Sequence, residues 1–197
     1  MRAAFIAWLL ALAQGTVLDC HGRPLVGDAS SLQRIQQLEA RVTVLEGLGD
    51  PADARARFER RTQVDVALLG ADSVRDLERR YVAANVLPLE SQERLDALRV
   101  IVGDPMFTGS NRVGCSLLYL GRFGPGDEAE PWLRRAVEDH SDALYGDGVQ
   151  VGAYARYELA ALMRRRGRYS AAASLDADLT KRWPDAVDHA GVPLVDG

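Results

Sequence analysis

The chain has 197 residues, of which 28 are acidic and 24 are basic, so its formal net charge is −4. This length suits one domain, or one domain with an appendage. An apolar content of 47% is enough to build a core and excludes a wholly disordered chain. The acidic balance argues against a nucleic-acid-binding protein, because such proteins normally carry a basic surplus.

The first residues have the pattern of a secretory signal peptide, which we place at 1–13. Arg2 supplies the positive charge, residues 3–12 form an apolar run too short to span a bilayer, and residues 11–13 (Ala-Leu-Ala) form a small-x-small cleavage site. We therefore predict cleavage before Gln14 and a periplasmic or secreted protein. The alternative is a first core helix that stays in the chain. No later segment has the apolar length of a membrane span, so none is expected after signal removal.

Two cysteines, Cys20 and Cys115, remain after this cleavage. In an oxidising compartment they can form a disulfide that closes a loop of about 95 residues. They can equally be a free thiol near the N-terminus and a small apolar side chain buried in a helix, and the sequence leaves both arrangements open. Asp19 is a poor match to the small residue that precedes a lipidated cysteine, so lipid anchoring at Cys20 is not expected.

The next segment predicts a linker followed by an amphipathic helix. Residues 14–29 contain Gly, Pro and Asp without a helical period, whereas residues 30–48 carry apolar side chains at 3-4-3 spacing. Two heptads of this kind indicate either an ordinary amphipathic helix or a short coiled-coil seam that would assemble a homo-oligomer. The apolar positions are Ile35, Leu38, Val42 and Leu45.

Caps, glycines and prolines divide the rest of the chain into further helices, which predict an all-α protein. The apolar run at 113–120 has the composition of a buried strand, but the helical period of its neighbours favours a helix. We predict helical hairpins at 51–110, repeats at 111–186 and a C-terminal tail at 187–197. The individual helices are 51–69 (capped by Asp50), 74–85 (capped by Asp72 or Ser73), one from Ser91 to about 102, 113–120, 128–139, 150–166 and 170–182.

Residues 153–186 resemble a tetratricopeptide repeat (TPR). Two alanines let the paired helices approach, a glycine permits a left-handed turn, a tyrosine can cover the hairpin end and a proline stops the second helix. The resemblance implies TPR-like helical hairpins stacked as a short α-solenoid. A degenerate copy at about 112–139 precedes the repeat at 153–186 by about 41 to 43 residues. The family has a spacing of about 34 residues, so the difference implies an insertion at 140–148. The repeat positions are Leu159, Ala160, Gly167, Tyr169, Ala172 and Pro184, and Arg156 and Asp176 stand where the family has aromatic residues.

The order of signal peptide, short amphipathic helix and C-terminal repeats is similar to one family, the periplasmic cell-division coordinator of the Tol-Pal system. The residues that carry the helix are 38–46 (LEARVTVLE). In that family the coil forms a trimer and the repeats bind envelope partners. This chain departs from the family in its shorter coil, and helices replace the usual low-complexity linker. The resemblance implies an exported protein that binds protein or peptide partners in the cell envelope.

No motif indicates catalysis, a metal site or a cofactor. The three histidines lack metal-ligand spacing, and Cys-x-x-Cys, G-x-S-x-G, P-loop and dinucleotide-binding patterns are missing from the sequence. We therefore expect a non-catalytic scaffold without a cofactor or a nucleic-acid partner. The alternatives are a structural homo-oligomer assembled through 30–48 and an accessory subunit of an envelope enzyme.

One stripe of the helix at 150–166 has interface composition, because tyrosine and arginine are enriched at binding hot spots. We predict that it forms a groove for a peptide of acidic character. In the alternative, the tyrosines pack under the next helix and the arginines are solvated. The stripe comprises Tyr154, Tyr157, Ala161, Arg164 and Arg168. Separately, the pattern D-x-x-G-x-P-L-V occurs at both 19–26 and 188–195 and assigns no function by itself.

Overall fold

The structure is a computed structural model that describes residues 53–195, so the predicted signal peptide, linker and 30–48 helix lie outside the described residues. Within 53–195, seven α-helices and a short 3₁₀ helix follow one another without a β-strand, which confirms the all-α class. The apolar run at 113–120 is helical. The helices are α1 (Ala54–Leu69), α2 (Ala71–Asn85), α3 (Gln92–Gly103), α4 (Asn111–Phe123), α5 (Ala129–Asp139), α6 (Val151–Arg165) and α7 (Tyr169–Arg182), and the 3₁₀ turn is Pro105–Phe107.

The starts of the first two helices differ from their predicted positions. Asp53 caps α1, because its carboxylate accepts the N–H three residues later at 2.9 Å, so the expected cap at Asp50 is wrong. Gly70, with φ +83°, separates α1 from α2 directly. Asp72 and Ser73 therefore lie inside the first turn of α2 and do not cap it.

Helix α4 forms the centre of this part of the molecule. It contacts α1, α2, α3, α5 and α6, whereas the other pairings largely follow the order of the chain. Ten of its thirteen residues are buried. This burial agrees with the nearly continuous apolar run at 113–120, because a helix covered on several sides belongs inside a core.

The connection at 140–150 packs closely against both α4 and α6. A Cβ added at Gly114 of α4 would lie 2.6 Å from the Cβ of Ala143 and 2.8 Å from that of His140. A Cβ at Gly152 of α6 would lie 2.4 Å from the carbonyl oxygen of Ser141. Real side chains do not tolerate such distances, so glycine is needed at both helix positions.

Residues 140–151 and 183–194 are two copies of one backbone element. Each contains an isolated antiparallel bridge, Leu144 with Gln150 and Val187 with Pro193, and the paired positions are 43 residues apart. Each also has one glycine with positive φ, +92° at Gly148 and +77° at Gly191. The matching N–H to carbonyl hydrogen bonds are Tyr145 to Val149 and Asp188 to Val192 (both 2.9 Å), Gly148 to Tyr145 and Gly191 to Asp188 (both 3.0 Å), and Val151 to Ala143 and Leu194 to Ala186 (both 2.9 Å).

This duplication corrects two expectations. Residues 140–148 are not an insertion, since the same connection recurs after α7 and the helix pairs repeat with their connections. Residues 187–195, predicted as part of a C-terminal tail at 187–197, form the second connection, and Leu194 is 7% exposed in the core. The D-x-x-G-x-P-L-V segment at 188–195 belongs to this element, while its relative at 19–26 lies outside the described residues.

Among residues 53–195, no helix combines the length and apolar character that crossing a membrane requires.

Candidate functional site

The two tyrosines of the predicted stripe have different environments. Tyr154 is 5% exposed and belongs to the core. Its ring centroid lies 4.4 Å from the guanidinium carbon of Arg122 and 5.9 Å from the ring of His189. Tyr157 is 40% exposed. Tyr157 is therefore accessible to a partner, whereas Tyr154 packs within the protein.

The two arginines of the stripe form ion pairs within the protein. Arg164 pairs with Asp176 of α7, and Arg168 lies 3.1 Å from Glu130 of α5. Ala161 is half-buried. The stripe therefore combines a buried ring, two paired cations and one accessible ring, and partner binding there stays a prediction.

Three of the six residues that carry the repeat resemblance lie in the core. Tyr169 is 71% exposed at the start of α7 and does not cover the hairpin end as expected. The others are Leu159 (1% exposed), Ala160 (0%) and Ala172 (1%) in the core, Gly167 with φ +72° in the α6–α7 turn, and Pro184 just after the end of α7.

Arg156 fills the position where the repeat family has an aromatic residue. It is 6% exposed, donates to the carbonyl of Gly152 at 2.9 Å and to Asp178 at 2.6 Å, and its guanidinium carbon lies 4.6 Å from the centroid of the Trp183 ring. Burial lowers the pKa of Arg156, opposed by its pairing with Asp178. Arg156 thus ties α6 to α7 and to the second connection.

A buried polar network attaches α1 to α4 and to the first connection. Arg61 is 1% exposed, donates to Asp65 at 2.5 Å and donates to the carbonyl of Gly109 at 2.9 Å. Its Nε lies 3.0 Å from Asp142, an ion pair without hydrogen-bond geometry. Asp65 also accepts the N–H of Asn111, at the start of α4, at 2.9 Å. Buried charged side chains therefore hold α1 against α4 and the first connection, whereas apolar side chains hold the other helices together.

Two neighbouring clefts open beside this network, between α1, the first connection and the end of α7. The first cleft has a volume of about 200 Å³ and the second about 360 Å³. Arg57, Gln150 and Trp183 line both. The first is completed by Arg60, Arg61, Ser141, Asp142, Ala143 and Leu144, and the second by Ala54, Asp147, Gly148, Arg182 and residues 184–187.

Two polar groups on the shared wall have unused hydrogen-bonding capacity. Within residues 53–195, the guanidinium of Arg57 forms no ion pair or hydrogen bond, and its Nε is buried. The side-chain oxygen of Gln150 is also buried and accepts no hydrogen bond from these residues. Buried polar atoms normally have a hydrogen-bond partner, so a ligand that supplied one to each of these two groups would be stabilised.

The carboxylates of the second cleft differ in their pairing. Asp147 lies 2.7 Å from Nδ1 of His189, whose ring contacts Tyr145 edge-on with centroids 4.6 Å apart. Partial burial would raise the pKa of Asp147, but hydrogen bonds from His189 and from the N–H of Val149 lower it overall. Asp185 is exposed. Two carboxylates, one paired with His189 and one exposed, therefore line the second cleft.

Cys115 is a free, fully buried cysteine, with its sulfur 3.8 Å from the carbonyl oxygen of Leu144. This matches the alternative of a small buried side chain. Cys20 lies outside the described residues, so the predicted disulfide stays a prediction. Between residues 53 and 195, no cluster of side chains has the composition of a metal site.

Sequence reasoning missed Arg57, Gln150 and Trp183 as a group. They come from three distant segments, and only the folded connection brings them together. No local pattern separates Arg57 from the other arginines of α1. Comparison with protein-family models, curated proteins and solved structures finds no match for this chain.

Proposed function

We propose that this protein is an exported, non-catalytic scaffold of TPR-like helical hairpins that binds protein partners in the bacterial cell envelope. The observation that carries the proposal is the duplicated unit, in which α4 and α5 with the connection at 140–150 are followed by α6 and α7 with the connection at 183–194. Helix pairs that repeat in this way stack side by side and provide extended surfaces for binding other proteins.

Three features support a TPR-like stack. Helix α4 contacts both α5 and α6, and α6 contacts α7, as expected for successive hairpins that share a core. Ala160 and Ala172 are buried where α6 and α7 approach each other. The similarity of the sequence to the Tol-Pal cell-division coordinator agrees with a scaffold of this kind in the envelope.

The scaffold function is tested by site-specific photo-crosslinking from the accessible part of the stripe. A photo-reactive residue replaces Tyr157 in the full chain, expressed in the bacterium that produces it, and Glu93 on α3 provides an exposed control position. We expect a discrete protein adduct from position 157 and none from position 93. A chain that forms no adduct above the unirradiated background, from these positions or from Asp185, contradicts the scaffold.

Substitutions within the stripe should be limited to Tyr157. Arg164→Glu would also break the pair with Asp176 and place two carboxylates together, so any loss of binding would be ambiguous. Tyr157→Ala removes an exposed ring that makes no hydrogen bond to the described residues. We then purify the Tyr157→Ala protein by affinity and ask whether it still carries the partner identified by crosslinking. If the partner is lost while the helicity is unchanged, Tyr157 belongs to the interface.

Export is tested separately by N-terminal sequencing of the protein from fractionated cells. The signal-peptide proposal predicts a mature chain that starts at Gln14 and is recovered with the periplasm, the envelope or the medium. A chain that retains Met1 in the cytoplasmic fraction would contradict it.

A further inference from the structure

We propose that the first cleft binds the carboxylate of a peptide segment and that Arg57 is the residue that pairs with it. This inference rests on the scaffold function and adds the chemistry of the partner. The site lies between α1 and residues 141–150, with Trp183 on its wall.

The charges of the first cleft favour an anion. Three arginines and one aspartate line it: Arg57, Arg60, Arg61 and Asp142. Asp142 is 3.0 Å from Arg61, so it is already engaged within the protein. The guanidinium of Arg57 has no partner in the described chain, although its Nε is buried. A partly desolvated cation gains most from a ligand that restores its lost interactions, and a carboxylate fits the guanidinium fork in a bidentate manner.

The free acceptor on Gln150 indicates that the ligand also donates a hydrogen bond. Its buried side-chain oxygen lies on the same wall as Arg57 and accepts no hydrogen bond. A peptide places an N–H next to a carboxylate in two ways, at its C-terminal residue and at an aspartate or glutamate. Either group can therefore satisfy Arg57 and Gln150 together, with Trp183 on the same wall of the cleft.

The size of the cleft limits what enters it. Its volume of about 200 Å³ equals that of roughly seven water molecules, at about 30 Å³ each. One residue fits this space, whereas a helix does not. The peptide would continue through the second cleft, which is lined by the carboxylates Asp147 and Asp185 and by Arg182. The two carboxylates disfavour a run of acidic residues, so the ligand is a peptide with a single carboxylate at the site.

The test is a titration of the ¹⁵N-labelled full chain, observed by NMR at the Nε–Hε signal of Arg57. The probes are N-acetyl-L-alanine, its neutral amide, and N-acetyl-L-aspartate α-methylamide. We expect the two carboxylates to shift the Arg57 signal and the neutral amide to leave it in place. Tighter binding of the alanine probe identifies a chain terminus as the natural ligand, and tighter binding of the aspartate probe identifies a side chain.

Two variants show whether Arg57 is responsible. Arg57→Gln removes the charge and should weaken binding at least about tenfold, the loss expected for a charge-assisted hydrogen bond. Binding to Arg57→Gln is followed through the backbone signals of residues 141–144. Arg55→Gln is the matched control on the same helix, because Arg55 is 86% exposed and, among residues 53–195, pairs only with Glu59. The affinity of this variant for the probes should be unchanged. Circular dichroism checks that both variants remain helical.

Some results would overturn the proposal. These are a static Arg57 signal up to the highest soluble probe concentration, equal shifts with the neutral amide, or equal affinity for Arg57→Gln. If the probes do not bind in the first cleft while crosslinking from Tyr157 succeeds, the scaffold function is supported and only the proposed carboxylate site is refuted. If the probes bind but no crosslinks form, the site stands and the scaffold function falls.

Discussion

Removal of Arg61 should destabilise the protein more than removal of any surface arginine of α1. In Arg61→Met, Asp65 loses a 2.5 Å ion pair, Asp142 loses a 3.0 Å ion pair, and the carbonyl of Gly109 loses a 2.9 Å hydrogen bond. The side chains of Arg61 and Asp65 are 1% and 5% exposed, so water cannot replace the lost charge. Breaking one partner of a buried ion pair costs about 3–5 kcal/mol, a large part of a typical total stability of about 5–15 kcal/mol.

The assay is urea unfolding monitored by circular dichroism, which gives the free energy of unfolding and its denaturant dependence. Arg55→Met is the control, because its pair with Glu59 is exposed and should contribute less than about 1 kcal/mol. Arg61→Met combined with Asp65→Leu should recover part of the loss, since no charge is then left at position 65. A loss below about 1 kcal/mol for Arg61→Met alone would refute the view that this network anchors α1.

Three further perturbations have defined outcomes. Gly152→Ala places a Cβ 2.4 Å from a carbonyl oxygen and should lower the stability by about 1–3 kcal/mol in thermal melts, whereas Gly103→Ala, at an open position, should not destabilise. Burial raises the pKa of the Cys115 thiol to about 12, so thiol reagents at pH 8 should modify Cys115 only after unfolding. A hydrogen bond from Arg134 lowers the pKa of Glu130 in the folded protein, so the ionised Glu130 stabilises the fold above pH 4.5 and this stabilisation is lost as the pH falls through the lowered pKa. In unfolding curves, the Glu130→Gln variant should therefore lose less stability on acidification than the wild type.

The helices could be predicted because their signals are local. Ser91 accepts the N–H of Arg94 at 3.2 Å and starts α3 where the sequence placed a cap. Gly70 and Gly167 end α1 and α6 with positive φ, as glycines after helices commonly do. The apolar run of α4 was assigned correctly because the neighbouring segments determined its class.

The cleft and the stripe could not be predicted because they depend on distant residues. Within α1, the sequence gives Arg55, Arg57 and Arg61 the same local character, yet one is exposed, one lines a cleft and one is buried. Arg61 differs because it pairs with Asp142 of the first connection and donates to the carbonyl of Gly109, both distant in sequence. Tyr154 was expected in a groove, but Arg122 from α4 and His189 from the second connection cover its ring.

That the repeated unit includes its connection, at a spacing of 43 residues, could not be predicted from the sequence either, because the connection is recognised only in the folded structure. Compared with the 34-residue family pattern, residues 140–148 looked like an insertion. The second connection shares four of twelve aligned residues with the first, an Asp-Ala pair and a Gly-Val pair, and makes the same backbone hydrogen bonds. Backbone geometry that many sequences can adopt leaves a weak signal in the sequence.

We propose above that the first cleft binds a carboxylate of a protein partner. Crosslinking from the neighbouring second cleft tests this proposal most directly. A photo-reactive residue at Asp185, which lines the second cleft and is exposed, is placed in the wild-type, Arg57→Gln and Arg55→Gln chains in cells. The account predicts one discrete protein adduct that persists in Arg55→Gln and is strongly reduced in Arg57→Gln. An adduct of equal yield in all three chains, or no adduct in any of them, would contradict it.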